Sequence, residues 1–288
     1  VVGPEEKVNA NAYPWGWEKA TFDDSNWKTA RRIGRGLPKY GTDWTEAWFL
    51  VPSELPQMLR DEQIFKKVRQ SSGMNVPPDF PYEWARLDVP ANSKVRILID
   101  QHELTNAYPA FEFSKGKGAT ISLQFAEALY KNEGTTDWRA EKKKVHRDSV
   151  SADIRIVGPK DVIRCDGGNE RQWESLWYRT FRYVLLEIET QEQPLVITNF
   201  RAIVTGYPFE MKATWKFDNH EMDKFMEVGW RTARLCATET YMDCPYYEEL
   251  MYTGDTRLEA LVTYLIANDD RLPRKAIRLF DASRMANG

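Results

Sequence analysis

A chain of 288 residues with 40 basic and 43 acidic side chains carries a formal charge of −3, which leaves no cationic field to gather a phosphate backbone and excludes nucleic acid as the expected partner. Its length and 42% hydrophobic content suffice for one large or two ordinary domains and exclude a mainly disordered state. Cys165, Cys236, Cys244, His102, His146 and His220 show no metal-ligand spacing, and no run approaches the roughly 18 apolar residues of a membrane span.

The opening Val1-Val2-Gly3-Pro4-Glu5-Glu6 lacks the charged-then-apolar order of a signal peptide. Eleven Trp residues supply large rigid surfaces that suit cores and sugar-stacking platforms alike. Leu55, Met58, Leu59, Phe65 and Val68 predict a helical insertion over Glu54–Gln70. From about Trp44 to Tyr207, short apolar or alternating runs bounded by Gly, Pro, Asn and Asp predict strands joined by turns.

Val95–Ile99 and Thr120–Phe125 alternate with period two, and Gly116-Lys117-Gly118 supplies a turn between them. Further strands are expected at Asp161–Cys165, Phe181–Glu189, Leu195–Val204 and Ala213–Phe217. Many short strands in succession predict an antiparallel, jelly-roll-like β-sandwich over 1–207, followed by a connecting strand or linker over 208–217. The basic run Glu141–Arg147 reads as a solvated loop or the decoration of an edge strand.

After Phe217 the period changes. Met222, Phe225, Met226, Trp230 and Ala233 fall at helical spacing behind Asp218 and Glu221, which resemble a capping box. Leu258, Leu261, Val262, Leu265 and Ile266 mark a second helix, and Asp270 precedes a third with Pro273 in its first turn. Residues 218–288 are thus expected to form an all-α domain. A few helices leave apolar stripes uncovered, so the domain is expected to continue beyond Gly288.

The densest chemical candidate lies between the first two of these helices. Four carboxylates, Asp243, Glu248, Glu249 and Asp255, fall within thirteen positions, interleaved with Tyr246, Tyr247 and Tyr252. Pro245 and Gly254 are expected to interrupt helical continuity and leave a loop that can aim several acids at one point. Clustered carboxylates among tyrosines suit glycoside hydrolysis, in which one acid keeps a proton for the leaving oxygen. The alternative is structural, with Asp255 as a helix N-cap and Asp243 capping a turn.

The runs Met242–Glu249 and Tyr252–Arg257 resemble the signature of bacterial α-L-rhamnosidases, glycoside hydrolase family 78, whose acids have the spacing of Asp243, Glu248 and Asp255. Phe22–Trp27 resembles the jelly-roll opening of glycosidase accessory domains. Asp100–Pro109, Ala126–Tyr130 and Trp177–Tyr183 are similar to sandwich segments that precede rhamnosidase catalytic domains. Many family members have Arg at the position of Tyr247 and Trp at that of Tyr252.

The resemblance implies a multidomain β + α chain, a sandwich followed by the first helices of an incomplete (α/α)6 toroid. It implies Glu248 as general acid, Asp243 and Asp255 binding rhamnose hydroxyls and holding its proton in place, and Tyr247 and Tyr252 shaping the sugar subsite. The implied partner is a rhamnose-containing carbohydrate, with no cofactor required and room left for a structural calcium ion in the β domain. Hydrolysis would invert configuration, with the general base in the remainder of the catalytic domain beyond Gly288, so that these residues alone would be inactive. The expected location is periplasmic or extracellular. Two other readings remain open: a non-catalytic carbohydrate-binding sandwich using Trp15, Trp17, Trp44, Trp48 or Trp138, and a toroid glycosidase for a different sugar.

Overall fold

The computed structural model describes residues 3–33, 52–82, 85–131, 144–151 and 153–284. The chain divides into two compact units. The first comprises Val1–Tyr13, Leu59–Thr205 and Pro245–Glu249, and the second Pro14–Met58, Gly206–Cys244 and Leu250–Gly288. Pro14–Met58 is thus grouped with the helices and Pro245–Glu249 with the strands.

Among the described residues the first unit holds β1 (Lys7–Asn9), β2 (Asp61–Ile64), β3 (Lys67–Ser72), β4 (Leu87–Val89), β5 (Lys94–Lys115) and β6 (Thr120–Ala126). They are followed by β7 (Leu129–Lys131), β8 (Ile154–Ile156), β9 (Lys160–Arg164), β10 (Arg171–Glu174), β11 (Arg179–Glu189) and β12 (Leu195–Val204). Their pairing is antiparallel except for β1 with β9. The central path runs β1-β9-β6-β11-β5-β12-β2, and β7 pairs with β8 separately.

One long strand changes partners along its length. The first part of β5, Lys94–Asp100, lies between β3 and β11, and its last part, Ala107–Lys115, pairs with β12 and in part with β10. β11 follows β5 on to Ala107, with a register shift between Asp100 and Thr105 that bends the strand around His102, whose φ of 68° is left-handed. Asp100 Oδ1 accepts the His102 N–H at 2.8 Å, an Asx turn that stabilises this bend.

Aromatic rings fill the core of this unit. Phe65 stacks on Phe200 and Phe181, with centroids 4.6 and 5.9 Å away, and Phe111 lies 5.2 Å from Trp173. Each of these rings is buried. Two buried ion pairs cross the same region: Arg179 grips Asp161 at 2.7 and 2.9 Å, and Arg182 grips Asp100 at 2.9 and 3.3 Å.

The predicted helix over Glu54–Gln70 is not formed. Its second half is β2 and β3, paired with β12 and β5, because sheet partners and a fully buried Phe65 outweigh a helical spacing of apolar residues. Leu55 and Met58, from its first half, pack in the second unit against Tyr207, Tyr241 and Leu272. The Phe22–Trp27 segment, also in the second unit, is a turn in which Asp23 Oδ1 accepts the Ser25 N–H.

The second unit contains α1 (His220–Leu235), α2 (Thr253–Ala267) and α3 (Arg271–Ala282). Asn219, not Asp218, caps α1 by accepting the Glu221 N–H at 2.9 Å. Ala213–Phe217 is not a strand. The N–H groups of Lys212 and Ala213 both donate to the Ile266 carbonyl, one of the acceptors left open at the end of α2. Ala213 then packs against Trp230, Ala233 and Ile266. Pro273 sits in the first turn of α3, as expected. Trp15 is half-buried and Trp17 exposed in this unit, whereas Trp44, Trp48 and Trp138 lie outside the described residues.

Candidate active site

The acid-bearing run begins where α1 ends, in the second unit. Met242 N–H returns to the Cys236 carbonyl at 2.8 Å, and the fully buried Tyr241 shares a 2.6 Å hydrogen bond between its hydroxyl and that of Thr263 on α2. Burial pushes the Tyr241 phenol up, so its hydroxyl stays neutral and serves as a fixed tie to α2.

Asp243 follows. Its N–H donates to the Leu250 carbonyl, and its carboxylate accepts the Leu250 N–H, both at 2.9 Å. Burial acts to raise the Asp243 carboxyl, but hydrogen bonds from Leu250 and from the thiol and backbone of Cys244 overcome it and hold the group below the ordinary range. Asp243 is therefore a charged clasp across residues 243–250, as the turn-capping alternative expects.

Pro245–Glu249 packs with the first unit. Tyr246 is buried, and its hydroxyl lies 3.1 Å from the Phe125 carbonyl and 3.3 Å from that of Val157. Tyr247 donates to Glu127 at 3.1 Å and lies 3.4 Å from the Tyr130 hydroxyl. Lys144 pairs with Glu127 and stands 5.3 Å over the Tyr247 ring. Glu248 is exposed, and Glu249 takes a left-handed φ of 54°.

Back in the second unit, Tyr252 is the exposed N-cap of α2 and makes no side-chain capping bond. Gly254 and Asp255 lie inside the first turn, so Gly254 does not end the helix there and Asp255 is not its N-cap. An exposed carboxylate at that position is favoured by the helix dipole.

Sequence reasoning passed over Glu259. One turn beyond Asp255, it shares that residue's helix face, and its Oε2 is sequestered without a hydrogen-bond partner among the described residues. Burial pushes its carboxyl up to about 8; a hydrogen bond with Cys236 opposes the shift, and the charges of Asp255 and Asp243 add to it. In this second-unit cluster, Glu259 is the carboxyl that keeps its proton at neutral pH. Its spacing from Asp255 was the available signal, but Cys236 and Asp243 reach it only through the fold.

Among the described residues no group of three or more His, Cys, Asp or Glu side chains is arranged to hold a metal ion, and no helix is long and apolar enough to cross a membrane.

The sequence matches no protein-family profile and no curated protein. Solved structures share its fold. An α-L-rhamnosidase from Dictyoglumus thermophilum matches over 98% of this chain and 27% of its own, at 15% identity and a TM-score of 0.56. The rhamnosidase from Klebsiella oxytoca, solved with rhamnose bound, matches over 78% of this chain and 44% of its own, at 16% identity and a TM-score of 0.58. A GH78 rhamnosidase of Bacillus sp. GL1 matches over 71% of this chain and 19% of its own, at 21% identity and a TM-score of 0.54. The chain spans less than half the length of each, and over the matched part it has a rhamnosidase-like fold.

Proposed function

We propose that this chain forms the sandwich and leading toroid helices of a bacterial glycoside hydrolase that removes terminal α-L-rhamnosyl residues from glycosides or plant polysaccharides. The observation that carries the reading is the placement of the Asp243–Asp255 run. Its acids keep the rhamnosidase spacing, and they lie between α1 and α2 of a chain whose fold resembles that of rhamnosidases.

Two glutamates compete for the role of proton donor. Glu259 holds a proton at neutral pH, but its Oε2 is sequestered, and a group that touches a leaving oxygen must be reachable. Glu248 is exposed and fits that requirement. Glu248 is therefore assigned as general acid, Asp243 and Asp255 as ligands of sugar hydroxyls, and Tyr252 as a wall of the subsite. The charged state of Asp243 suits it to accept from a hydroxyl. Tyr247, whose hydroxyl is turned to Glu127 and Tyr130, can offer the sugar only its ring.

In an inverting reaction the acid protonates the leaving oxygen while a second carboxylate, about 6.5–9.5 Å away, activates water on the opposite face. That base is assigned to residues outside these 288, and the site is assigned to a periplasmic or extracellular enzyme. The test uses a polypeptide that carries this chain together with the downstream base. Nitrophenyl α-L-rhamnoside should be cleaved in preference to the matching glucuronide and fucoside. Glu248→Gln should slow an alkyl rhamnoside by about 10²- to 10⁴-fold while sparing an activated aryl rhamnoside that leaves without protonation. Undiminished turnover of the alkyl rhamnoside would remove Glu248 from the acid role.

A further inference from the structure

We infer that the sandwich aims the proton donor, with Glu127 as a positioning residue that fixes Tyr247 and, through it, the backbone of Glu248. The inference rests on the reading of Glu248 as general acid, and all its residues belong to the first unit.

The direction an exposed side chain takes from a short connection depends first on the backbone that carries it. Here the backbone on both sides of Glu248 is constrained. Two positions before it, the Tyr246 hydroxyl is seated on the carbonyls of Phe125 and Val157. One position before it, the Tyr247 phenol meets the Glu127 carboxylate and the Tyr130 hydroxyl. One position after it, Glu249 occupies the small left-handed region, which few residues other than glycine adopt without being held there.

Glu127 is the centre of this arrangement. Its side chain is 12% exposed, at the corner between β6 and β7, and one oxygen, Oε1, takes both the Tyr247 hydroxyl and the Lys144 ammonium. Lys144 also covers the Tyr247 ring, so one phenol is held at its edge by a charge-assisted hydrogen bond and at its face by a cation. The cluster stands at the gap in the ladder between Ala126 and Leu129, beside the bridge that pairs Lys144 with Tyr130. Its effect falls on the residue next to Tyr247. Displacement of a catalytic group by about 1 Å costs on the order of 100-fold in rate.

The experiment compares Glu127→Ala and Glu127→Gln in the polypeptide that carries the downstream base, with an alkyl and a dinitrophenyl α-L-rhamnoside. The alanine variant should lower kcat for the alkyl substrate by about 10- to 100-fold with KM little changed, and should act far less on the dinitrophenyl substrate. Glutamine, which still offers an acceptor to the Tyr247 hydroxyl, should restore most of the loss. Equal losses on both substrates, or none on either, would overturn the inference. If Glu248→Gln is selective for the alkyl substrate and Glu127→Ala is not, the positioning role alone falls; if neither is selective, the acid assignment falls and takes it along. Should the alanine variant fold poorly, Tyr247→Phe removes a single oxygen. Amides 246–249 should then exchange hydrogen at least about tenfold faster while those of β11 do not, and unchanged exchange at 246–249 refutes the anchoring.

Discussion

Arg182 lays two guanidinium nitrogens on the carboxylate of Asp100, at 2.9 and 3.3 Å, and Asp100 is wholly hidden from solvent. Arg69 reaches the same carboxylate at 2.7 Å. Asp100 also sits at the bend in β5 where its pairing with β11 shifts register. One carboxylate thus links β3, β5 and β11, and its loss leaves the buried Arg182 guanidinium with Asp148 as its remaining carboxylate.

Asp100→Asn should therefore destabilise the chain by about 3–5 kcal/mol, the range for breaking one side of a buried ion pair. Urea unfolding followed by Trp fluorescence measures this, and a loss below about 1 kcal/mol would mean that Asp148 alone satisfies Arg182.

The same pair sets a response to acid. Burial acts to raise the Asp100 carboxyl, but hydrogen bonds and charge from Arg182, the His102 N–H and the charge of Arg69 hold it below its ordinary value of 3.8. Its folded form binds protons less readily than its unfolded form, so the stability it contributes is present above the ordinary value and is lost as pH falls through the depressed one. Unfolding midpoints should drop steeply below about pH 4 in the parent and less steeply in Asp100→Asn. Parallel curves would contradict the assignment.

Gly158 controls the seat of Tyr246. A Cβ built there falls inside van der Waals contact with the Phe125 carbonyl and the Tyr246 hydroxyl, and the carbonyl belongs to a strand that cannot yield cheaply. Gly158→Ala should cost about 1–3 kcal/mol through overpacking and speed hydrogen exchange at Tyr246 and Tyr247. Thermal unfolding with exchange mass spectrometry separates this local release from a general loss, which would appear equally in β5 and β11.

The sequence carried most of the sandwich because period two and turn residues are local signals. Val95–Ile99, Thr120–Phe125 and Leu195–Val204 all lie in the strands they predict. Where partners decide, local pattern misled: Phe65 and Val68 fit a helix face until β12 and β5 claim β2 and β3. The acidic run was legible by its density, since four carboxylates in thirteen positions are hard to overlook. The supports around it were not. Tyr247 meets Glu127 across 120 positions, and Glu259 meets Cys236 and Asp243 only when α1 and α2 come together.

Glu259 offers a test of that hidden part without any substrate. Burial, supported by the charges of Asp255 and Asp243 and opposed by a hydrogen bond with Cys236, raises its carboxyl from 4.5 to about 8. The folded chain then keeps a proton that the unfolded chain has released, so this residue favours folding fully below about pH 4.5 and progressively less as pH rises through about 8. Glutamine has the shape of the protonated acid and no charge to desolvate. Glu259→Gln should match the parent at pH 4.5 and exceed it at pH 9 by on the order of 1 kcal/mol, after discounting for solvent screening of a partly exposed group. Guanidinium unfolding at the two pH values measures the crossover. A parent that remains the more stable protein at pH 9 would show that Glu259 ionises without strain, and would remove it as the proton-holding member of the cluster.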